Sequence, residues 1–479
     1  MDTNNLRIKE YIEDQLANID FKAKNFLFDH NNNLLPKRNI FSNFKNYIKD
    51  FLNGDDSSRW VTLVGLRGVG KTTLMYQVYH EFKKLDAHFL ILSLDSSTNL
   101  LKTNIYELIK AFEEHLNSPI ENLDKPLFLF LDEVQYDENW GIALKNIFDS
   151  SKKVFIFSTG SSALLLNNNP DIARRTIYQN IYPLNFTEYN LIKNNKEIPE
   201  KLTLDLNKAI FNSMDSKEIY TKIKNNQKNI DAYYLAQSRL SFQDYLYLGS
   251  FPFSIKTINK SKIYYNIKKI IDVTVNKDIA NTSDNLVNFI TYIPSILYAI
   301  ADMDTLNFTT LAEKFGIPRY KISEIFSELE KTELLNRIYP HASHFKQVTQ
   351  KPSKYLFASP ALRAMYYKTE GNSISEENAR GKLLEDLVGM YLYRLRNKNN
   401  LFSITYDSAK GGADFIVTTS NNKIVIEVGS NKKTYQQVVQ TMKKVNAKCG
   451  IILSEKLEEL EYNQEFNIVK IPLKYFILI

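Results

Sequence analysis

Residues 65–72 read Gly65-Leu66-Arg67-Gly68-Val69-Gly70-Lys71-Thr72, directly after the apolar run Val61-Thr62-Leu63-Val64. This stretch decides the fold class. A strand that turns through glycines into a helix points successive backbone N–H groups at a phosphate chain, so the reading is a P-loop in an α/β domain. Gly65, Leu66, Arg67, Gly68, Val69, Gly70, Lys71, Thr72 and Thr73 form the expected nucleotide-binding segment. Lys71 is expected to reach the β/γ-phosphates of a nucleotide, and the Thr72 hydroxyl to ligate Mg²⁺. The helix is expected from Thr72 to Lys83.

A second motif lies downstream. Leu127-Phe128-Leu129-Phe130-Leu131 is a continuous apolar run, which suits a strand buried on both faces, and it ends in Asp132-Glu133. Ligands bind at the carboxyl ends of strands in open α/β sheets. Asp132 is therefore expected to hold Mg²⁺ through its water shell and Glu133 to polarise the attacking water as general base. Without the P-loop, a solvated acid pair would be the better reading. The third strand, Lys153–Phe157, ends in Ser158-Thr159-Gly160-Ser161-Ser162. Thr159 is the candidate for orienting the lytic water or sensing the γ-phosphate, while Ser161 or Ser162 caps a helix starting near Ala163. Arg174-Arg175 follow, and an arginine here can stabilise transition-state charge in its own subunit or a neighbour's. A surface arginine pair is the competing reading.

These residues together resemble the prokaryotic P-loop ATPases of the AAA-like, archaeal-ATPase group that carry a C-terminal nuclease-like domain. The matching stretches are the P-loop, Phe130-Leu131-Asp132-Glu133-Val134-Gln135, Ser158-Thr159-Gly160-Ser161-Ser162, and Arg175 leading to Tyr182-Pro183-Leu184-Asn185-Phe186-Thr187-Glu188-Tyr189. Tyr247-Leu248-Gly249-Ser250-Phe251-Pro252 and Lys277-Asp278 are similar to later elements of the group, although Ser250 stands where a second glycine is usual. The resemblance runs from about Phe41 to the end, except over 195–240. It implies ATP and Mg²⁺ binding and a five-stranded core with a strand added between the two nucleotide motifs. It assigns no cellular role.

The chain has 479 residues, enough for several domains, and 44% of them are hydrophobic, as in ordinary globular proteins. The lone Cys449 excludes an intramolecular disulfide and fits a reducing, cytoplasmic setting. No signal peptide is read at the start, and Leu286–Met303, interrupted by Asn288, Pro294 and Asp302, reads as a buried helix pair rather than a membrane span. The net charge of +7 permits contact with DNA or RNA without requiring it.

The organisation expected is an N-terminal helical extension over 1–40, a P-loop ATPase core with a parallel sheet over 41–190, a helical lid or linker over 191–304, a winged helix-turn-helix over 305–370, and an α/β restriction-endonuclease-like domain over 371–479. In the fourth segment Phe308–Ile317 reads as a helix and glycine turn, Pro318–Thr332 as the second helix, and Leu334–Ile338 with Lys354–Phe357 as the hairpin. The second helix balances Arg319, Lys321 and Lys331 against Glu324, Glu328 and Glu330, so it is no strong major-groove reader. The wing carries Lys346, Lys351 and Lys354 and no acid, which suits phosphate contact.

In the last segment a helix over Gly381–Arg394, strands Leu401–Tyr406, Ala413–Thr418 and Lys423–Val428, a helix over Thr434–Lys444 and a strand Gly450–Ser454 follow one another. This order resembles the restriction-endonuclease-like nuclease core. The resemblance implies that Asp414 and Glu427, with Glu385, gather a second divalent metal that activates water at a scissile phosphate. The lysine usual two residues after the glutamate is replaced by Gly429, leaving Lys432 or Lys433 as the substitutes expected from the next loop. Two functions from different classes therefore stand open. One is an ATPase whose nucleotide state controls a nucleic-acid-directed, nuclease-like domain. The other is a nucleotide-dependent switch or scaffold whose C-terminal domain binds DNA, RNA or a protein without cutting. Self-assembly into a homo-oligomer fits either.

Overall fold

The computed structural model describes residues 3–29, 31–161, 170–235, 240–280, 284–303, 305–342, 351–369, 375–398, 401–430 and 435–479. The chain divides into two compact units, Met1–Tyr182 and Pro183–Ile479.

The first unit is built on five strands, β1 (Trp60–Val64), β2 (His88–Ser93), β3 (Leu127–Asp132), β4 (Val154–Gly160) and β5 (Ile177–Asn180), in the order β2-β3-β4-β1-β5. All neighbouring pairs are parallel. The strands β1, β3 and β4 are buried along their whole length, which is why their sequences are continuous apolar runs rather than alternating ones. β4 lies between β1 and β3, so the strand added between the two nucleotide motifs is present. It runs further than the sequence suggested. Ser158, Thr159 and Gly160 are its last residues rather than a loop after it, because the Ser158 and Thr159 hydroxyls pair inside the sheet, Ser158 Oγ lying 2.7 Å from Thr62 Oγ1, and Gly160 pairs with Val64.

The first forty residues are part of this unit. The helix Thr3–Leu27 buries Ile8 and Ile12 in the same core as β1 and β3, stacks Phe26 on Tyr76 at 4.7 Å, and accepts hydrogen bonds on Asp20 from Tyr79 and Lys83. The expected helical extension is thus a packed layer of the first unit.

The second unit carries an eight-stranded mixed sheet. Its strands are β6 (Leu335–Pro340), β7 (Lys354–Phe357), β8 (Ser403–Tyr406), β9 (Phe415–Thr418), β10 (Lys423–Gly429), β11 (Cys449–Ser454), β12 (Glu461–Asn463) and β13 (Ile468–Pro472), in the order β12-β13-β11-β10-β9-β8-β6-β7. β8, β9 and β10 form an antiparallel meander, and β10 joins β11 in parallel through the helix Gln436–Val445. That parallel step needs a crossover, which the helix supplies by burying Val438, Met442 and Val445 against Val425 and Ile452.

Two expectations change here. Within the segment expected as a helical lid or linker over 191–304, the residues from 195 to 235 are a layer of the second unit. Their helices Glu200–Phe211, Ser216–Asn225 and Gln227–Tyr234 pack on the C-terminal sheet, with Leu206, Ile219, Ile223 and Ile230 buried in its core and Ser216 Oγ accepting from Gly450 N at 2.9 Å. The hairpin β6–β7 is not a free wing. β6 pairs in parallel with β8 through Tyr339 and Thr405, so the hairpin is the edge of the large sheet. The helices Phe308–Phe315 and Arg319–Lys331 do meet across Gly316, whose φ of 65° suits glycine at a helix C-terminus. Lys321 and Lys331 are taken up by Glu324 and Glu328 of the same helix.

A buried ion pair ties this unit together. Arg363 donates to both oxygens of Asp386, at 2.5 and 2.9 Å, and to the carbonyls of Ile300 and Ala301. Arg363→Met strands a carboxylate in the core, and we expect about 3–5 kcal/mol of destabilisation in chemical denaturation of the full chain. A loss below about 1 kcal/mol would mean the pair is no more than a surface bridge in effect.

Candidate functional site

The P-loop geometry follows from its glycines. Gly68 and Gly70 have φ of 78° and 101°, and a Cβ on Gly65 would fall 2.2 Å from the Ile181 carbonyl oxygen. The helix Lys71–Phe82 begins at once, so its free N–H groups face the loop. The Thr72 hydroxyl donates to Asp132 Oδ2 at 2.8 Å, joining the two nucleotide motifs directly. Thr159 donates to the other oxygen, Asp132 Oδ1, and accepts from the backbone N of Glu133 at 3.0 Å. Thr159 therefore orients both acids, a positioning task beyond the sensing expected of it.

Glu133 sits with φ of 57° and ψ of 54°, a left-handed conformation that costs a residue with a side chain about 1–3 kcal/mol. Its carboxylate lies 3.6 Å from Lys71 Nζ and 3.9 Å from Arg67 Nη1, and it accepts from Gln135. Burial alone would raise its pKa, but Lys71 and Arg67 hold it below the ordinary glutamate value. Asp132 goes the other way, pushed up by burial and by the charge of Glu133 despite the Thr159 and Thr72 hydroxyls. Lys71 also donates to the Gly65 carbonyl at 3.0 Å, so it fills the loop it would share with a phosphate. Thr72 and Asp132 are hard oxygen donors and suit Mg²⁺. The glycine-lined loop with its helix N-terminus suits a triphosphate.

Arg175 is elsewhere engaged. It donates bidentately to Asp149, at 2.8 and 3.0 Å, with 26% of its side chain exposed. Arg38, which the sequence did not single out, is buried and donates to the Val69 carbonyl at 2.8 Å and to Tyr182 at 2.9 Å, bracing the P-loop from behind. Nothing in its neighbourhood of the chain signals this, because both partners accept through backbone atoms.

In the second unit Asp414 and Glu427 meet as expected. Ile426 pairs with Phe415, so Glu427 faces Asp414 at the next step of the ladder, and Asp414 N donates to Glu427 Oε2 at 3.3 Å. Val428 N fixes Asp414 Oδ2 at 2.9 Å. Glu385 does not join them as a third metal ligand. It pairs with Lys354 Nζ at 2.5 Å, and Lys354 also reaches Asp414 Oδ1 at 3.2 Å. Lys354, expected on a phosphate-facing wing, is instead 7% exposed. Burial would lower its pKa, but the two carboxylates carry it well above the usual lysine range. Among the described residues no group of three His, Cys, Asp or Glu side chains is set to hold a metal. Two carboxylates with water can still hold Mg²⁺, which suits Asp414 and Glu427. Lys354, Glu385, Asp407, Asp414, Glu427 and Gly429 all line one cavity of about 960 Å³. Lys432, Lys433, Lys346 and Ser162 lie outside the described residues. Cys449 is buried and its thiol is pushed up to about 12, which makes it inert. No helix among the described residues is long and apolar enough to cross a membrane.

Residues 57–190 match the AAA domain family, and residues 239–373 match a domain of unknown function, DUF8612. The uncharacterized protein MJ1637 of Methanocaldococcus jannaschii is 32% identical over 430 residues, covering 89% of this chain and 86% of that protein. A second protein of that organism, the uncharacterized protein MJ1544, is 24% identical and covers 85% of this chain and 86% of its own length. Among solved structures, the Holliday junction branch migration motor RuvB of Thermotoga maritima aligns with 63% of this chain and 90% of its own, at 15% identity and a TM-score of 0.28.

Proposed function

The chain belongs to the family of the Methanocaldococcus jannaschii protein MJ1637, and from that premise and its AAA match we propose that it is a Mg²⁺-dependent ATPase whose nucleotide state controls a C-terminal unit directed at nucleic acid. The observation that carries this reading is the Thr72–Asp132 hydrogen bond of 2.8 Å, which puts the P-loop and the second acidic motif at one point. Lys71 turns from the Gly65 carbonyl to the β/γ-phosphates. Thr72 and Asp132 supply the oxygens for Mg²⁺, which when bound neutralises phosphate charge. Glu133, kept anionic by Lys71 and Arg67, accepts the proton of the attacking water on its carboxylate once Lys71 has left it. Thr159 holds both acids in place through this change.

For the second unit the reading is hydrolysis of a phosphodiester at Asp414 and Glu427, which would share a divalent cation. The order helix, three strands, crossover helix, strand supports it, as does the cavity around the two acids. The order of helix, glycine turn, helix and hairpin in 308–357 supports a winged-helix origin for that segment, although Lys321, Lys331 and Lys354 are paired within the protein. Gly429 favours a second reading, a nucleotide-dependent binding module that does not cut. One experiment separates them. The purified chain is incubated with DNA and RNA, with and without ATP and Mg²⁺ or Mn²⁺, and both ATP turnover and cleavage are scored. Absence of ATP turnover under every condition sinks the ATPase reading.

Self-assembly gives a further expected result. The Arg175–Asp149 pair is partly exposed, and a nucleotide held by a neighbouring copy would compete with Asp149 for the guanidinium. ATP turnover is then expected to rise more than linearly with protein concentration. Arg175→Ala lowers turnover about 10³-fold, and mixing it with Lys71→Ala restores part of the activity. Strict proportionality without rescue excludes a neighbour's arginine.

A further inference from the structure

The acids of the second unit carry no basic residue at the spacing where a nuclease core has one, since Gly429 offers no side chain. A cation is nevertheless in their cavity, and it comes from a strand outside that core. We propose that Lys354 of β7 is the catalytic ammonium of the Asp414–Glu427 site, supplied by the β6–β7 hairpin and acting on the phosphodiester of a nucleic acid. This rests on the reading of that cavity as a cleavage site.

Three observations carry it. Lys354 Nζ lies 3.2 Å from Asp414 Oδ1 and 2.5 Å from Glu385 Oε2, in the cavity lined by Glu427 as well. Its strand is clamped in place. Phe357 N donates to Asp386 Oδ1 at 3.0 Å, one residue from Glu385, and a Cβ on Gly389 of the same helix would lie 2.4 Å from Leu356 Cδ1. Leu356 of β7 therefore packs its side chain directly over Gly389 of that helix. Finally, an ammonium has three donors, and Glu385 and Asp414 take two of them, which leaves one N–H for a ligand. Lys354 thus shares with Asp414, Glu427 and Glu385 the lining of one cavity of about 960 Å³, large enough for a ligand.

The chemistry balances without a further reactant. A water oxygen bonds to phosphorus, and the bond to one ester oxygen breaks. The water gives a proton to solvent, the departing oxygen takes one, and a single water is consumed. The Lys354 ammonium has no lone pair to accept a proton, so it is not the base. Its third N–H donates to a phosphoryl oxygen as negative charge gathers there.

The test uses the full chain, with Mn²⁺ as the metal probe and labelled single- and double-stranded DNA and RNA as substrates. Lys354→Met is expected to cut about 10²–10³-fold more slowly, the usual cost of losing one such donor. Lys354→Arg should recover part of that rate. In calorimetry Lys354→Met keeps the parent's Mn²⁺ affinity, whereas Asp414→Asn loses it. If Lys354→Met does not fold, as judged by circular dichroism, Lys354→Gln takes its place, and equal rates for the glutamine and arginine variants overturn the proposal. A parent that cuts while Lys354→Met cuts equally fast sinks Lys354 alone. So does a Lys354→Met protein that binds Mn²⁺ about tenfold more tightly, because the ammonium would then merely fill the cation's place. A parent that binds Mn²⁺ at Asp414 yet cuts nothing in any nucleotide state sinks the cleavage reading itself, and the role of Lys354 with it.

Discussion

Glu133→Gln is expected to leave ATP bound and slow its hydrolysis by about 10²–10⁴-fold, the range for loss of a general base. Asp132 still meets Thr72 and Thr159 in this variant, so the metal oxygens stay in place. Glutamine keeps the shape of the side chain but cannot take the proton. Lys71→Ala differs in kind, because it removes the charge that meets the phosphates and so weakens binding itself. It also leaves Glu133 with Arg67 as its remaining cation within 4 Å. Nucleotide affinity measured beside turnover tells the two apart. Normal turnover in Glu133→Gln would remove this residue from the mechanism.

The second large effect lies in the other unit. Asp414→Ala and Glu427→Ala are each expected to abolish metal-dependent cleavage while ATP hydrolysis continues. Two carboxylates on facing strands favour a bound cation, since it relieves their repulsion. Asp414→Ala also takes away a partner of Lys354 and the acceptor of Val428 N, so its melting temperature is measured in parallel. Nucleic-acid binding that falls with salt and survives both substitutions, with no cleavage by the parent, would leave the binding-module reading in possession.

The nucleotide site was readable in the sequence because its parts are local. A loop of eight residues and an acid pair at the end of an apolar run carry their own geometry, and both lie where the sequence put them. Asp414 and Glu427 were readable for a similar reason, being partners across one tight hairpin. Lys354 was seen but misplaced. It is sixty positions from Asp414, and its strand reaches the acids through the pairing of β6 with β8 and the hydrogen bond of Phe357 N to Asp386. That pairing is short and leaves no periodic signal. The helices of 200–234 were read as part of a helical lid or linker for want of any local mark of their partner, which is the far C-terminal sheet. Arg38 was missed because an arginine aimed at carbonyl groups looks like any other arginine.

The continuity of the eight-stranded sheet bears on inheritance as well as on catalysis. A gene segment starting at 371 looks like a transferable cassette, yet its product would lack β6 and β7. It would unpair Thr405 and Tyr406 of β8, turn that strand into the sheet edge, and leave Asp414 without its cation. Recombination that respects folding must therefore cut upstream of Leu335. Relatives that exchange this end of the protein are expected to carry the hairpin and the sheet together, as one heritable piece.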